Sequence, residues 1–159
     1  TGPVHAELRV SENGPVIIEV AARPIGGRCS RALQMGLGIS LEELILRQAL
    51  GMQTRNMAPD PTPSGVMMIP VPGAGKLRRV VGMEEARQVA SIEEVLITAH
   101  PGQEIVPLPE GSRYLGFIFA RADTQWEVDQ ALRKAQSLLT FEIDSSRVKL
   151  PLAISSSCG

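Results

Sequence analysis

Aromatic residues are scarce in this chain: three Phe, one Tyr and one Trp make up 3% of its 159 residues. A surface that stacks bases on rings needs more of them, and no run of Lys or Arg compensates. Sixteen basic residues stand against 17 acidic ones, for a formal net charge of −1. Nucleic acid is therefore not an expected partner. Cysteine is also rare. Cys29 and Cys158 have neither the density of a disulfide scaffold nor the spacing of metal ligands, and a reducing cytoplasm is the default they suggest. No apolar run approaches the ~20 residues that span a bilayer, and no signal peptide is visible, so no membrane association is expected. With rings so few, the 43% hydrophobic content must build a core from Val, Ile, Leu and Met. The length suits one domain, or one domain plus part of another.

What is present is concentrated near the start. Val4 to Val10 and Val16 to Ala22 are rich in β-branched and apolar residues, and Glu12-Asn13-Gly14-Pro15 between them is a turn signal. A three-residue loop with Gly14 left-handed makes residues whose numbers sum to 26 face each other, so Glu7 lies opposite Glu19. That register places Val4, Ala6, Leu8, Val10, Val16, Ile18, Val20 and Ala22 on one face. His5, Glu7, Arg9, Glu19 and Arg23 take the other. A two-residue Asn13-Gly14 turn would instead set Leu8 opposite Glu19 and send Glu7 to the far face. Like charges directly opposed across a strand pair are destabilising. A hard cation such as Mg2+, which takes one or two carboxylates plus substrate phosphates, would relieve the conflict. An exposed, solvated glutamate pair is the plain alternative on pattern alone.

The rest of the chain alternates helix and strand. Ser30 to Leu37 reads as a short helix. Ser40-Leu41-Glu42-Glu43 opens a second with a capping box, and Gly51 ends it. Gln53 to Ser64 holds Pro59, Pro61 and Pro63 and reads as a linker. Beyond it come strands over 65–71 and 76–81, a helix over 83–90, and strands over 92–98 and 114–121. A helix over 124–139, started by Thr124 with acid in its first turn, and a strand over 141–143 complete the pattern. From Lys76 the order is β-α-β-β-α-β, a ferredoxin-like arrangement. Pro72-Gly73-Ala74-Gly75-Lys76 lacks the Ser or Thr of a P-loop and reads as a tight turn. Cys29 reads as a small buried or pocket-lining residue, since nothing in sequence ties a base to its thiol. His5 reads as a polar-face histidine. The fold class expected is α+β, with boundaries at 1–52 for the hairpin and its helices and 53–64 for the linker. A small α+β domain follows over 65–146, with a tail over 147–159.

The run Ile18-Glu19-Val20-Ala21-Ala22-Arg23-Pro24-Ile25-Gly26-Gly27 resembles the end of the catalytic core of ATP-grasp carboxylate–amine ligases, especially those related to L-amino-acid ligases. The resemblance implies that Glu7 and Glu19 hold Mg2+ on the phosphates of ATP. It implies that Arg23 steadies the transferred phosphoryl group and the acyl phosphate, and that Gly26 and Gly27 form the turn beside the substrate. Ala21 stands where the family's E-x-N-x-R pattern has asparagine, so that position has no side-chain oxygen to offer a second metal site. Residues 65–146, with Gly111-Ser112-Arg113-Tyr114-Leu115-Gly116, resemble the small C-terminal domain that follows this core. The expectation is therefore the C-terminal piece of a longer cytoplasmic ligase joining a carboxylate to an amine. Its partners would be ATP and small carboxylate and amine substrates. Without a phosphate-gripping loop upstream of Val4, the piece by itself is expected to bind ATP weakly and to be inactive. The alternative is a noncatalytic ferredoxin-like binding or assembly module, a fold that also leaves self-association into a homo-oligomer open.

Overall fold

A computed structural model describes residues 2–26, 28–31, 38–54 and 60–144. Its first element is an antiparallel hairpin of β1 (His5–Ser11) and β2 (Gly14–Ala21). Ser11 pairs with Gly14 across the two-residue turn Glu12-Asn13, and Gly14 takes the left-handed φ of +100° that glycine allows. The pairs Val10–Pro15, Arg9–Val16 and Leu8–Ile17 follow, and then the register shifts by one residue. Ile18 is the extra residue, a β-bulge, and beyond it Glu7 faces Glu19, Ala6 faces Val20 and His5 faces Ala21. The expected pairing of the two glutamates is present, but by a different route. A shorter turn removes one residue and the bulge restores it. As a result Ile17 rather than Ile18 lies beside Leu8, and Val16 joins Arg9 on the polar side.

Past the glycine turn, α1 (Leu41–Ala49) starts at Ser40, whose hydroxyl accepts from the Glu43 amide at 3.0 Å. The reciprocal half of the expected capping box does not form. The Glu43 carboxylate instead accepts from Arg47 one turn on, at 2.5 Å. Of the earlier expected helix, Ser30 and Arg31 are described and helical, and 32–37 lie outside the described residues.

The remaining elements make two three-stranded antiparallel sheets. One has the order β3 (Ser64–Ile69), β7 (Gly116–Arg121), β5 (Ile92–Ile97). The other has β6 (Glu104–Ile105), β4 (Gly75–Val81), β8 (Thr140–Asp144). With α2 (Met83–Arg87) and α3 (Gln125–Leu138), the described residues hold three small sheets and three helices, an α+β fold. The expected β-α-β-β-α-β order gains a strand, since β6 comes between β5 and β7, and the single ferredoxin-like sheet does not form. That sheet needs β4 beside β7, whereas β6 occupies the free edge of β4 and β3 the free edge of β7.

The core lies between the first sheet and the helices. Ile118 and Ala120 of β7 and Val95 of β5 meet Val128, Ala131, Leu132 and Ala135 of α3, with Ala86 of α2 and Leu77 and Ile105 of the second sheet. Here α3 carries the full capping box: Thr124 accepts from the Glu127 amide, and the Glu127 carboxylate accepts from the Thr124 amide at 2.9 Å.

The end of the proline-rich connection is tied down. The Asp60 carboxylate accepts from the Thr62 amide at 2.9 Å and the Thr62 hydroxyl at 2.6 Å, and it pairs with Arg121 at the end of β7. The hydroxyl of Thr62 first, then its amide and Arg121, hold the Asp60 carboxyl down from 3.8 to about 2. A depressed carboxyl stabilises the fold above its free value and loses that contribution as pH falls through the folded one. Between pH 3.8 and about 2, Asp60→Asn should therefore flatten the acid limb of the melting-temperature profile. An acid limb identical to that of the parent chain would show that this carboxylate anchors nothing.

Candidate functional site

The polar face of the hairpin assembles the candidate site. His5, Glu7 and Arg9 alternate along β1, and Glu19 and Ala21 lie across from Glu7 and His5. Arg23 follows just beyond β2, and its guanidinium reaches the Glu19 carboxylate at 3.8 Å while donating to the Pro24 carbonyl at 3.3 Å. Both members of that pair are about half exposed, so the attraction is largely screened by solvent. Glu7 has no ion-pair partner among the described residues. One carboxylate of the facing pair is thus partly balanced and the other is not.

This donor set fits a hard cation that completes its shell elsewhere. Among the described residues, no three His, Cys, Asp or Glu side chains converge on a point that would seat a metal ion by themselves. Two facing carboxylates suit Mg2+, which keeps several waters and takes substrate phosphate oxygens beside one or two protein ligands. At the other end of the pair, His5 faces Ala21. The His5 Nδ1 is buried and without a hydrogen-bond partner.

The glycine turn follows directly. The Gly26 carbonyl accepts from the Cys29 amide at 3.2 Å, Arg28 takes a left-handed φ of 57°, and the Arg31 amide donates to the Arg28 carbonyl at 3.0 Å. Gly27 lies outside the described residues. A cleft of about 260 Å3 opens beside this turn, lined by Arg28, Ser30, Arg31, Ser40 and Glu42. Two further clefts are lined by small-domain residues alone, among them Gln103, Ser112, Arg113 and Tyr114.

One cluster was not legible in the sequence. Arg31 forms a 2.7 Å ion pair with Glu94 of β5, and its guanidinium sits 5.6 Å over the ring of Phe119 on β7. The two acceptors are neighbours because β5 shifts register after Ile92, leaving Glu93 unpaired and setting Glu94 opposite Phe119. Phe119 is fully buried, so the cation lies over a ring shielded from water. Arg31 thereby fastens the segment after the glycine turn to the small domain.

Residues 67–144 match the L-amino acid ligase C-terminal domain 2 family. The L-amino acid ligase of Bacillus licheniformis is 29% identical and superposes with a TM-score of 0.75, over 90% of this chain and 36% of that one. Phosphoribosylglycinamide synthetase of Anaerococcus prevotii shares the fold at 15% identity and a TM-score of 0.71, over 89% of this chain and 37% of that one. An uncharacterised protein of Sinorhizobium fredii, y4rH, is 23% identical over 142 residues, 89% of this chain and 30% of that protein. The chain has the architecture of the C-terminal portion of an ATP-grasp L-amino-acid-ligase-like protein. It spans about a third of the length of these relatives.

The Arg31 contact yields a measurable coupling. Arg31→Ala and Glu94→Gln should each destabilise the chain, and their double-mutant cycle in urea should return about 0.5–1 kcal/mol, the scale of a partly exposed pair. Additive losses would mean that the two side chains stand together without interacting.

Proposed function

We propose that this chain supplies the metal and phosphate floor of an ATP-dependent carboxylate–amine ligase acting in the cytoplasm. The observation that carries the reading is Glu7 facing Glu19 on the polar side of the hairpin, with Arg23 within 3.8 Å of Glu19. Glu7 and Glu19 would hold Mg2+ against the nucleotide phosphates. Bound there, the ion neutralises charge on the phosphate oxygens and makes the terminal phosphoryl group a better electrophile. Arg23 can turn its planar guanidinium from Glu19 to a phosphate and bind two oxygens at once. Its charge is then placed where negative charge gathers as the phosphoryl group passes to a substrate carboxylate. The turn that begins at Gly26 would give backbone access to the acyl phosphate, which an amine attacks at the carbonyl carbon to form the C–N bond as phosphate leaves. The names of the relatives favour an amino acid as one substrate. Residues 1–52 would belong to the catalytic core, 53–64 to a linker and 65–146 to a small domain that supports the turn through Arg31.

The test uses the complete polypeptide that carries this sequence, incubated with ATP and pooled amino acids, with phosphate release and product masses followed. Arg23→Ala should lower turnover by about 10²-fold or more while the melting temperature stays nearly constant. Lost stability with unchanged activity per folded molecule would make Arg23 a strut for Glu19, and the phosphoryl-transfer role would fall.

A further inference from the structure

We propose that the small domain carries a binding site of its own, for a small organic carboxylate with an apolar body, in the cleft over Tyr114 and Phe117. The cleft holds about 480 Å3, the size of a small-molecule pocket, and none of the described residues lining it comes from the hairpin. Such a site goes beyond the phosphoryl-transfer reading and is independent of it. Ser112, Arg113 and Tyr114 build one wall, on a loop that is held at both ends. The Gly111 amide donates to the Pro107 carbonyl at 2.7 Å, and Gly111 lies so close to the Val106 carbonyl that a Cβ would not fit. The Leu115 amide donates to the Ile69 carbonyl at 2.9 Å, and the Thr98 hydroxyl to the Leu115 carbonyl at 3.4 Å. The wall is therefore set before any ligand arrives, which lowers the cost of binding.

The lining sets the ligand chemistry. Among the described residues the Arg113 guanidinium has neither an ion pair nor a hydrogen bond, and no Asp or Glu lines this cleft. The Gln103 carbonyl oxygen accepts from the His100 amide at 3.0 Å, so the Gln103 NH2 is the end left to donate. With the Ser112 hydroxyl, the cleft offers several donors and a single positive charge. One guanidinium grips one carboxylate through two oxygens, whereas a phosphate dianion would be left half neutralised. The rings of Tyr114 and Phe117, 6.4 Å apart, supply the surface for an apolar body. A smaller cleft of about 210 Å3 shares Gln103, Ser112, Arg113 and Tyr114 and adds Glu104 and Glu110, which would meet an ammonium beside the carboxylate. The occupant is thus a simple acid or an amino acid. Phe117 also stacks on Phe119, the ring beneath Arg31, at 6.5 Å, so the occupant would lie two residues along β7 from the anchor of the glycine turn.

The experiment labels tyrosine rings with carbon-13 in the complete polypeptide and identifies the Tyr114 signal as the one missing from Tyr114→Phe. Phenylpropanoate, phenylalanine and phenethylamine are then titrated in without ATP, into the parent protein and into Arg113→Gln. Both acids should shift the Tyr114 ring along saturable curves, and the amine should not. Arg113→Gln should weaken the acids about tenfold or more, the loss of a charge-assisted pair, at an unchanged melting temperature because the guanidinium has no partner to lose. Phenylalanine binding more tightly than phenylpropanoate would assign its ammonium to Glu104 and Glu110; the reverse order would make the occupant a simple acid. A Tyr114 ring that no acid moves, one that the amine moves as strongly, or acid affinities indifferent to Arg113→Gln would overturn the site. Any of these would leave the role of Arg23 untouched, since turnover of Arg23→Ala tests that by itself.

Discussion

The β-bulge at Ile18 is the constraint on which the candidate site depends. The hairpin turn, left to itself, sets pairs that would slide Glu19 off Glu7, and one extra residue in β2 restores their alignment. Antiparallel pairing then forces two carboxylates onto one side of a two-stranded ribbon. Such an arrangement costs stability unless positive charge is close. Arg23 provides some, at 3.8 Å from Glu19 and in partial contact with solvent. The residual conflict at Glu7 is what makes a divalent cation chemically sensible there.

The small domain holds the segment that follows the hairpin. Its core is closed by α3 on the inner face of the β3-β7-β5 sheet, around Ile118 and Ala120. The outer side of the same strands carries Phe117, Phe119 and Glu94. Arg31 lands on Glu94 and Phe119, so the segment carrying the glycine turn is fixed to an element that the core already holds rigid. Asp60 does the same for the end of the connection, through Thr62 and Arg121. Two bulges, one in β2 and one in β5, therefore aim the charged residues on both sides of the link.

Much of this was readable from local signals. The turn residues and apolar alternation located the hairpin, and the capping residues at Ser40 and Thr124 located α1 and α3, because caps and periodicity are written in adjacent residues. The order and spacing of Glu7, Glu19 and Arg23 marked the charged face. Features decided by distant partners were not readable. The short β6 has two residues and exists only because β4 offers an edge. The split into two sheets depends on β3 reaching β7 across some fifty residues of sequence. Glu43 chose Arg47 over the Ser40 amide, a competition between two equally local partners. Bulges leave no mark in an alternating pattern, so the route to the glutamate pair and the pairing of Glu94 with Phe119 both required coordinates.

The central claim is that Glu7 and Glu19 act as one cation-binding unit. The most direct measurement follows the carbon-13 shifts of their side-chain carboxyls as Mg2+ is added to the complete polypeptide in the presence of ATP. Both carboxyls should move together along one saturable curve, with a single apparent Kd. A response confined to one of them, or no saturable shift in either, would contradict the account.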